Sequence, residues 1–185
     1  GEFTYRVLQH YGVSEKVEIL GCPTLFINPD KDLGQKIEEK MKTFPQRVAV
    51  PGGHQKWAHL SRIEQCLASI VSETHGSYIG QSPFEMFQLT RSEVELLSPE
   101  AFTECKKYLM PYVTDKTFID WCNRYGNLFF DIPAWMEHYR KFDFVVGPRI
   151  HGVILGLQTG IPSLCIVHDS RTLELCQTLK VPYVM

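Results

Sequence analysis

The cysteines of this sequence are too scattered for the patterns that bind zinc or build a disulfide framework. The six of them stand singly in 185 residues, with no C-x-x-C pair and no accompanying histidine spacing. A chain of this length buries roughly 70% of the surface that its unfolded form exposes, so a core forms without covalent staples. We therefore expect reduced, mostly buried thiols, no metal site, and a structural Cys22, because no histidine partner can be named for it.

Charge of one sign and long apolar runs are also missing. The formal net charge is −2. No segment reaches the ~18 consecutive apolar residues of a membrane span, and the first residues lack the basic-then-apolar pattern of a signal peptide. The apolar content of 44% is typical of a folded domain. We expect a cytoplasmic domain with no direct membrane span, no broad surface for nucleic acid, and an affinity for anions that is local.

What the sequence does contain is an alternation of short apolar segments with longer helical ones. Strands rich in β-branched or aromatic residues are predicted at "VEIL", "QRVAVP", "SYIG", "GNLFFDI", "DFVVG", "PSLCIV" and "PYVM". Helices are predicted at "EFTYRVLQHY", "HQKWAHLSRIEQCLASIV", "SPEAFTECKKYL", "KTFIDWCNRY", "PAWMEHYRKF", "HGVILGLQTG" and "SRTLELCQTLK". This order favours right-handed crossovers and an α/β fold, a Rossmann-like parallel sheet with helices on both faces.

The same pattern divides the chain unevenly. Residues 1–30, a helix and a short strand, are predicted to be the end of an N-terminal or linking segment, and residues 31–185 the Rossmann-like domain. Charge and proline concentrate in residues 27–46, which we interpret as the hinge region. Because proteins of this class usually begin with a strand or a loose tail, a helix at residue 1 predicts that further sequence precedes it.

One strand end carries residues that packing alone does not require. The strand "DFVVG" is followed by Arg149 and His151, with Gly147 and Gly152 on either side to permit close approach of a ligand. Open parallel sheets bind ligands at the carboxyl ends of their strands, where helix N-termini supply free N–H groups and a positive dipole end. The planar fork of Arg149 suits a carboxylate or phosphate. The alternative is a structural ion pair for Arg149 and a sheet-edge cap for His151.

A second strand end, "IVHDSRT", lies in the adjacent loop of the predicted sheet. Asp169 is expected to cap the helix that follows, while His168 and Arg171 could reach the same cleft. The stretch "PGGHQKW" lacks the spacing of a phosphate-binding loop, so we interpret it as a plain turn. The three tryptophans fall on apolar helical faces and are predicted to be core residues: Trp57, Trp121 and Trp135.

Taken in order, these motifs resemble the polysaccharide pyruvyl transferase family. The stretch "RIHGVILGLQTGIPSLCIVHDSR", residues 149–171, is similar to the C-terminal half of the family. "GEFTYRVLQHYGV", "VEILGCPTLF" and "SYIGQSPFE", which contains Gln81, are similar to its middle portion. The resemblance implies one half of a two-domain, glycosyltransferase-type (GT-B-like) fold, the half that binds the donor.

The resemblance also implies a reaction. Members of the family transfer the enolpyruvyl unit of phosphoenolpyruvate to two hydroxyls of a sugar, forming a cyclic ketal, and need no metal or other cofactor. Arg149 and the helix N-terminus would bind the donor, and His151, beside bound anions that raise its pKa, would donate a proton to the methylene carbon. The protein would be cytoplasmic, or peripheral to the membrane beside a polysaccharide assembly system. The implied donor-binding residues are Arg149, His151, Gly152, Gly147, His168, Asp169 and Arg171.

Two departures from the family qualify this expectation. The family's arginine just upstream of "GEFT" would precede Gly1, and the N-terminal domain that helps to hold the saccharide acceptor is not in this sequence. We therefore expect the chain by itself to bind the donor with little or no transfer. The family's tyrosine-like position before Asp169 is His168 here, which leaves its role open.

Two other function classes remain open at this point. A nucleotide-sugar glycosyltransferase or epimerase also places a glycine-flanked basic residue at such a helix N-terminus. It would be expected to carry a late glutamate for the ribose, and Glu174 is the only glutamate after residue 151. A non-catalytic α/β module that binds an anionic glycan or a partner protein is the third possibility.

Overall fold

The structure, a computed structural model, describes residues 1–13 and 17–185, and its elements largely follow the predicted alternation. The α-helices are α1 (Glu2–His10), α2 (Leu33–Lys40), α3 (Ser61–Glu73), α4 (Phe84–Thr90), α5 (Pro99–Leu109), α6 (Asp115–Tyr125), α7 (Ile132–Tyr139), α8 (Ile150–Gln158) and α9 (Ser170–Leu179). The strands are β1 (Val48–Pro51), β2 (Ser77–Ile79), β3 (Gly126–Asn127), β4 (Phe144–Gly147), β5 (Ser163–Ile166) and β6 (Tyr183–Val184).

Within the described ranges these strands form one six-stranded sheet. Their order is β3-β2-β1-β4-β5-β6, and each neighbouring pair is parallel. The chain moves outward from β1 to β3 and then returns to place β4 on the other side of β1. Adjacent loops therefore diverge between β1 and β4, which is where open parallel sheets bind ligands.

The strand side chains alternate between two apolar layers, as the pleat of a sheet requires. Val50 and Tyr78 pack on the layer formed by α3, α4, α5 and α6. Ala49 and Val145 point the other way, against α7 and α8, and Cys165 joins α8 to α9 on that same side. Burial of a valine side chain such as that of Val50 or Val145, both 0% exposed, contributes roughly 1.5–3 kcal/mol to folding. The predicted α/β, Rossmann-like parallel sheet with helices on both faces is confirmed.

The helix starts are set by local chemistry that can be read in the sequence. In four helices the residue before the first turn accepts a hydrogen bond from a backbone N–H within that turn, which satisfies a donor that the helix leaves free. Proline in the first turn of α5 and α7 adds a fixed φ at a place where its missing N–H costs nothing. The capping residues are Ser98, Thr114, Asp131 and Asp169.

Two predicted strands differ from the structure. The strand predicted at "VEIL" is wrong, because residues 17–22 form no regular element and Leu20 is 70% exposed. A short 3-10 helix, Pro23–Phe26, follows them. The strand predicted at "GNLFFDI" shrinks to its first two residues, which form β3, because Phe129 leaves the sheet to stack on Trp135.

Two helices were not predicted. Helix α2 lies inside the stretch interpreted as a hinge, where Leu33 and Ile37 stand one turn apart and are half-buried among exposed polar residues. Helix α4 begins after Pro83, and Met86 and Leu89 on it are fully buried. Both helices are too short, at 8 and 7 residues, to show a clear periodicity.

Two described parts of the first thirty residues, α1 and the segment around Asn28, lie against the helices that flank β5. The backbone N–H of Phe3 donates to Oε1 of Glu174 on α9 at 2.7 Å. The backbone N–H and the side-chain amide of Asn28 donate to Oε1 and the carbonyl of Gln158, at 2.7 and 2.8 Å. The division of the chain at residue 30 stays a prediction. Among the described residues, none of the helices has the length and apolar character needed to cross a membrane.

Candidate functional site

Four loops meet at the carboxyl edge of the sheet. Residues 52–57 follow β1, residues 80–83 follow β2, residues 148–149 follow β4 and residues 167–169 follow β5. Because β2, β1, β4 and β5 are neighbours in the sheet, these loops surround one region at the point where the strand order reverses. The sequence had singled out the last two loops.

Arg149 lies at the centre of this region, at the residue before the first turn of α8. Its Cζ lies 4.7 Å from the ring centroid of Trp57, and its Nη2 donates to Oγ of Ser82. Its Nε is buried and has no hydrogen-bond partner. Within the described ranges, no carboxylate lies within 4.0 Å of its nitrogens, so the alternative of a structural ion pair finds no support.

Trp57 is the site residue that the sequence placed elsewhere. The predicted helix begins only at Ser61, and Trp57 precedes a short 3-10 helix, Ala58–Leu60, so its expected position on a helical core face is wrong. Trp121, in contrast, is 6% exposed in the core, and Trp135, which lies on α7, is partly buried against the apolar layer on its side of the sheet, as predicted. The residues after Trp57 have helical spacing, so the sequence pattern does not show that Trp57 itself lies in a turn.

The ring of Trp57 contacts three polar side chains. The imidazole of His54 lies tilted against it at 4.3 Å between centroids, and that of His168 meets it edge-on at 4.4 Å. The guanidinium of Arg149 covers the ring. A cation held over tryptophan contributes about 0.5–2 kcal/mol, so the ring fixes the direction of the guanidinium as well as its position.

The two histidines that contact Trp57 are held in uncharged form. Burial lowers the pKa of His54 to about 4, and the positive charges of Arg149 and Lys56 act in the same direction. The side chain of His168 is only 6% exposed, and burial lowers its pKa while the neighbouring Asp169 opposes the change. Nδ1 of His54 and both ring nitrogens of His168 are buried without a hydrogen-bond partner.

His151 lies in the first turn of α8, at the mouth of the region. Although the residue is exposed, the surrounding protein removes enough water to lower the pKa of its imidazole. The positive charges of Arg171 and Arg149 lower the pKa further. The expectation of a raised pKa concerned a site that holds anions, and a bound dianion would offset these two charges.

The two predicted glycines have a packing reason that the sequence did not reveal. A Cβ on Gly147 would lie 2.5 Å from the carbonyl oxygen of Pro51, and a Cβ on Gly152 would collide with the Pro51 ring. Both glycines therefore allow β4 and α8 to approach the end of β1 closely. Their proposed contact with a ligand stays a prediction.

The residues in and after the loop that follows β5 have different roles: one caps a helix, and the others lie in or beside the site. Asp169 caps α9 as predicted, since its Oδ1 accepts from the backbone N–H of Thr172 at 2.6 Å. Arg171 is exposed in the first turn of α9, and its charge reaches His151 and Arg149. The structure therefore brings His168 inside the region and places Arg171 at its edge.

Three contributors to the region had not been recognised as functional from the sequence. His54 was read as part of a plain turn, Ser82 was given no role, and Gln81 appeared only within the family resemblance. The available signal was the pair of glycines directly after a strand, because a glycine turn next to the β1–β4 switch point is where ligands approach. We had judged that turn only by its lack of the phosphate-binding-loop spacing.

Arg149 and three neighbouring side chains each leave at least one buried polar atom unpaired. We call this set the Arg149 cluster. Well over nine tenths of buried polar groups in folded proteins have a hydrogen-bond partner, so a concentration of exceptions at one place indicates a site for a ligand. The guanidinium and amide nitrogens here are N–H donors, and a neutral imidazole donates through one of its two nitrogens, so the set matches a ligand with several anionic oxygens. The members and atoms are Arg149 (Nε), His54 (Nδ1), Gln81 (Nε2) and His168 (Nδ1 and Nε2).

In the part of the chain that the structure describes, no group of three histidine, cysteine or acidic side chains is arranged to hold a metal ion. The buried cysteines have their thiol pKa values raised by burial, which makes them poor nucleophiles and poor metal ligands. They are Cys105, Cys122, Cys165 and Cys176.

Comparison with protein families gives one match. The model of the polysaccharide pyruvyl transferase family matches residues 1–170, which include the helix α1, the sheet through β5, and the loops that carry Arg149 and His168. Comparisons with curated proteins and with solved structures found no match. The family match covers most of the 185 residues, and it includes the region where the unpaired polar atoms converge. The chain therefore belongs to the polysaccharide pyruvyl transferase family.

Proposed function

We propose that this chain binds phosphoenolpyruvate and carries the donor side of an enzyme that forms a cyclic pyruvate ketal on a saccharide. The observation that carries the proposal is the Arg149 cluster, a set of buried polar atoms with unmet hydrogen bonds beside a cation, among them the N–H donors of Arg149 and Gln81. Phosphoenolpyruvate has a carboxylate and a phosphate attached to the same carbon, so it needs oriented N–H donors and positive charge. Membership of the family supplies the reaction class, and the donor is our inference.

Donor binding would use Arg149 and the first turn of α8 together. Trp57 and Ser82 hold the guanidinium from two sides, which leaves its other N–H groups for a bidentate contact. The nine-residue helix α8 directs its free backbone N–H groups and positive dipole end to the same place. Arg171 adds a second cation at the mouth. Two anionic groups on one small molecule match two arginines and a helix N-terminus.

His151 is the proposed proton donor. It would transfer a proton to the methylene carbon of the enolpyruvyl unit, which becomes a methyl group and leaves an electrophilic centre at C2. The first sugar hydroxyl would bond to C2 and return its proton to His151. The bond between C2 and the phosphate ester oxygen would then break, phosphate would leave with the electron pair, and the second hydroxyl would bond to C2, its proton passing to phosphate or water. The imidazole ends in its starting state.

This step requires a protonated imidazole, and the charges at the site set the pKa of His151 and so its protonated fraction. Without ligand, Arg171 and Arg149 hold the pKa of His151 below its ordinary value. A bound dianion would neutralise much of this field and raise the pKa, so the protonated fraction of His151 would increase when the donor binds. Proton donation would therefore be favoured only in the loaded site.

A thermal-shift titration tests the donor assignment. The protein would be titrated with phosphoenolpyruvate, with inorganic phosphate as the control for generic anions, and with a UDP-hexose as the test of nucleotide-sugar chemistry. Ligand at about 100 times its dissociation constant adds about 2.7 kcal/mol, or about 5–10 °C for a domain of this size. We expect this stabilisation with phosphoenolpyruvate and a much smaller one with phosphate.

Two variants assign the shift to the site. Arg149→Ala should abolish the stabilisation by phosphoenolpyruvate. Arg47→Ala is the matched control, because Arg47 also lies over an aromatic ring, that of Phe142, at the other edge of the sheet. Stabilisation by the UDP-hexose alone would instead support a glycosyltransferase or epimerase. Equal responses to phosphoenolpyruvate and phosphate, or a response that survives Arg149→Ala, would contradict the proposal.

A further inference from the structure

A fully buried carboxylate lies behind the turn that carries Trp57. Glu64 is on α3 and is 0% exposed. Its Oε1 accepts from the backbone N–H of Gly53 at 2.8 Å, and its Oε2 accepts from the hydroxyl of Tyr78 at 2.6 Å. Carboxylates are almost never buried to this degree without a partner, and this one is occupied by two donors that bear no charge.

The turn after β1 is enclosed by these contacts. A Cβ on Gly53 would lie 3.0 Å from Oε1 of Glu64, 2.7 Å from the hydroxyl of Tyr108 and 3.2 Å from Cε3 of Trp57. The glycine therefore lies between the carboxylate and the indole ring that supports Arg149. A displacement of Glu64 would move the turn, and the turn would move the ring beneath the guanidinium.

Charge links the same residues. The negative charge of Glu64 favours the charged form of Arg149, and the positive charge of Arg149 favours the ionised form of Glu64. The other titratable groups that face the carboxylate are Tyr78 from β2 and Tyr108 from α5. Burial keeps both phenols neutral at ordinary pH, because it raises their pKa values.

We propose that Glu64 is a positioning residue of this site, which holds the turn and Trp57 beneath Arg149 and takes up a proton when an anionic donor occupies the guanidinium. The inference rests on the proposed function, since it takes phosphoenolpyruvate as the anion. Glu64 would act through Gly53 and Arg149 and would not touch the donor. Proton uptake would offset one of the negative charges that the donor brings into the buried region.

The protonation behaviour of the free carboxylate supports this coupling. Burial raises the pKa of Glu64 to about 7, while its bonds to Tyr78 and Gly53 and the charge of Arg149 pull the pKa downward. A bound dianion would oppose the effect of Arg149 and raise the pKa further. Between the free and bound pKa values, binding takes up a proton, so affinity should fall as pH rises through that interval.

The first measurement needs no ligand. The amide proton of Gly53 donates to the carboxylate, so its NMR chemical shift should change with pH around a midpoint near 7 in the wild type. The change should be missing in Glu64→Gln, which keeps an oxygen acceptor for Gly53 and nearly the same volume. A Gly53 signal that behaves alike in both proteins would overturn the inference.

The second measurement is calorimetry of phosphoenolpyruvate binding from pH 6 to pH 9, in buffers with different ionisation enthalpies. We expect the wild type to take up more protons than Glu64→Gln near pH 8. Its affinity should fall about tenfold more across the range, the effect of one unit of pKa shift. Equal proton counts and parallel affinity profiles would reject the coupling.

The two measurements separate failure of the inference from failure of the proposed function. If neither protein binds phosphoenolpyruvate at any pH, the proposed function fails and so does the coupling to that donor, whatever Gly53 does. If both bind with the same pH dependence, the proposed function stands and the role of Glu64 fails. Glu64→Ala should also lower the melting temperature, and the Gln variant shows whether that loss alone explains weaker binding.

Discussion

Each edge of the sheet holds an arginine over an aromatic ring, and the two arrangements differ in what surrounds them. At the amino edge, Cζ of Arg47 lies 5.0 Å from the ring centroid of Phe142. At the carboxyl edge, Cζ of Arg149 lies 4.7 Å from that of Trp57. The contact type is the same, so the contact itself does not identify a site.

The hydrogen bonds around the two arginines show the difference. At the amino edge, backbone N–H groups find hydrogen-bond acceptors within the chain. Those of Gln46 and Arg47 donate to Oδ2 of Asp143 at 3.1 and 2.9 Å. The N–H of Asp143 donates to the carbonyl of Arg47 at 2.8 Å. At the carboxyl edge, the Arg149 cluster leaves buried donors unpaired beside a helix N-terminus. A site is therefore marked by polar groups that the fold positions and leaves unsatisfied.

The strongest test of this comparison replaces the planar guanidinium of an arginine by the ammonium group of a lysine, which keeps the positive charge. Arg149→Lys should weaken phosphoenolpyruvate binding about 10- to 100-fold, because an ammonium group cannot bond Ser82 and still offer a bidentate face to the donor. Arg47→Lys should leave the dissociation constant unchanged. Calorimetric titration measures both, and an Arg149→Lys protein that binds within twofold of the wild type would contradict the assignment.

Removing the aromatic support should have a smaller effect. Trp57→Leu should weaken donor binding by about tenfold, since the guanidinium loses a cation–π contact worth about 0.5–2 kcal/mol and much of its orientation. Trp135→Leu is the control, because Trp135 stacks on Phe129 beside α7. We expect the control to lower the melting temperature with no change in affinity. A similar loss of affinity in both variants would point to general loosening.

The last prediction concerns acid stability. The pKa of His54 is about 4 in the folded protein and about 6.5 in an unfolded chain, so protonation favours unfolding. The sign follows: stability is complete above pH 6.5 and declines as pH falls from about 6.5 to 4. His54→Gln should therefore lose less melting temperature than the wild type over this interval in scanning calorimetry. Identical pH profiles would show that folding does not lower the pKa of this imidazole, and would contradict the prediction.

Much of the fold follows from short stretches of sequence. Segments such as "DFVVG" and "PSLCIV" predict buried strands, and the helices after them start at residues that the sequence marks, as with Asp169 before α9. The predictions were wrong or missing where the local pattern was ambiguous. "VEIL" has strand composition but pairs with no strand among the described residues, and α4 is only 7 residues long.

The residues of the site also fall into two groups, those that could be recognised from the sequence and those that could not. Arg149, His151 and His168 could be selected from the sequence because they follow predicted strands directly. Trp57 could not, because its spacing to the later residues of α3 fits a helix equally well. Glu64 reads as one more polar residue on an amphipathic helix, and nothing in its neighbours along the chain shows that it is fully buried.

By itself the sequence determined the α/β class, the strand ends that carry the charged residues, and the family, since each depends on periodicity, capping and motifs within a few residues of one another. Only the tertiary structure decided which loops meet. The sheet order places β4 beside β1, and this brings Arg149 onto Trp57 although about ninety residues separate them. The physical reason is that the polar atoms of each loop stay unpaired until distant strands align, so the site is a property of strand order and of no single segment.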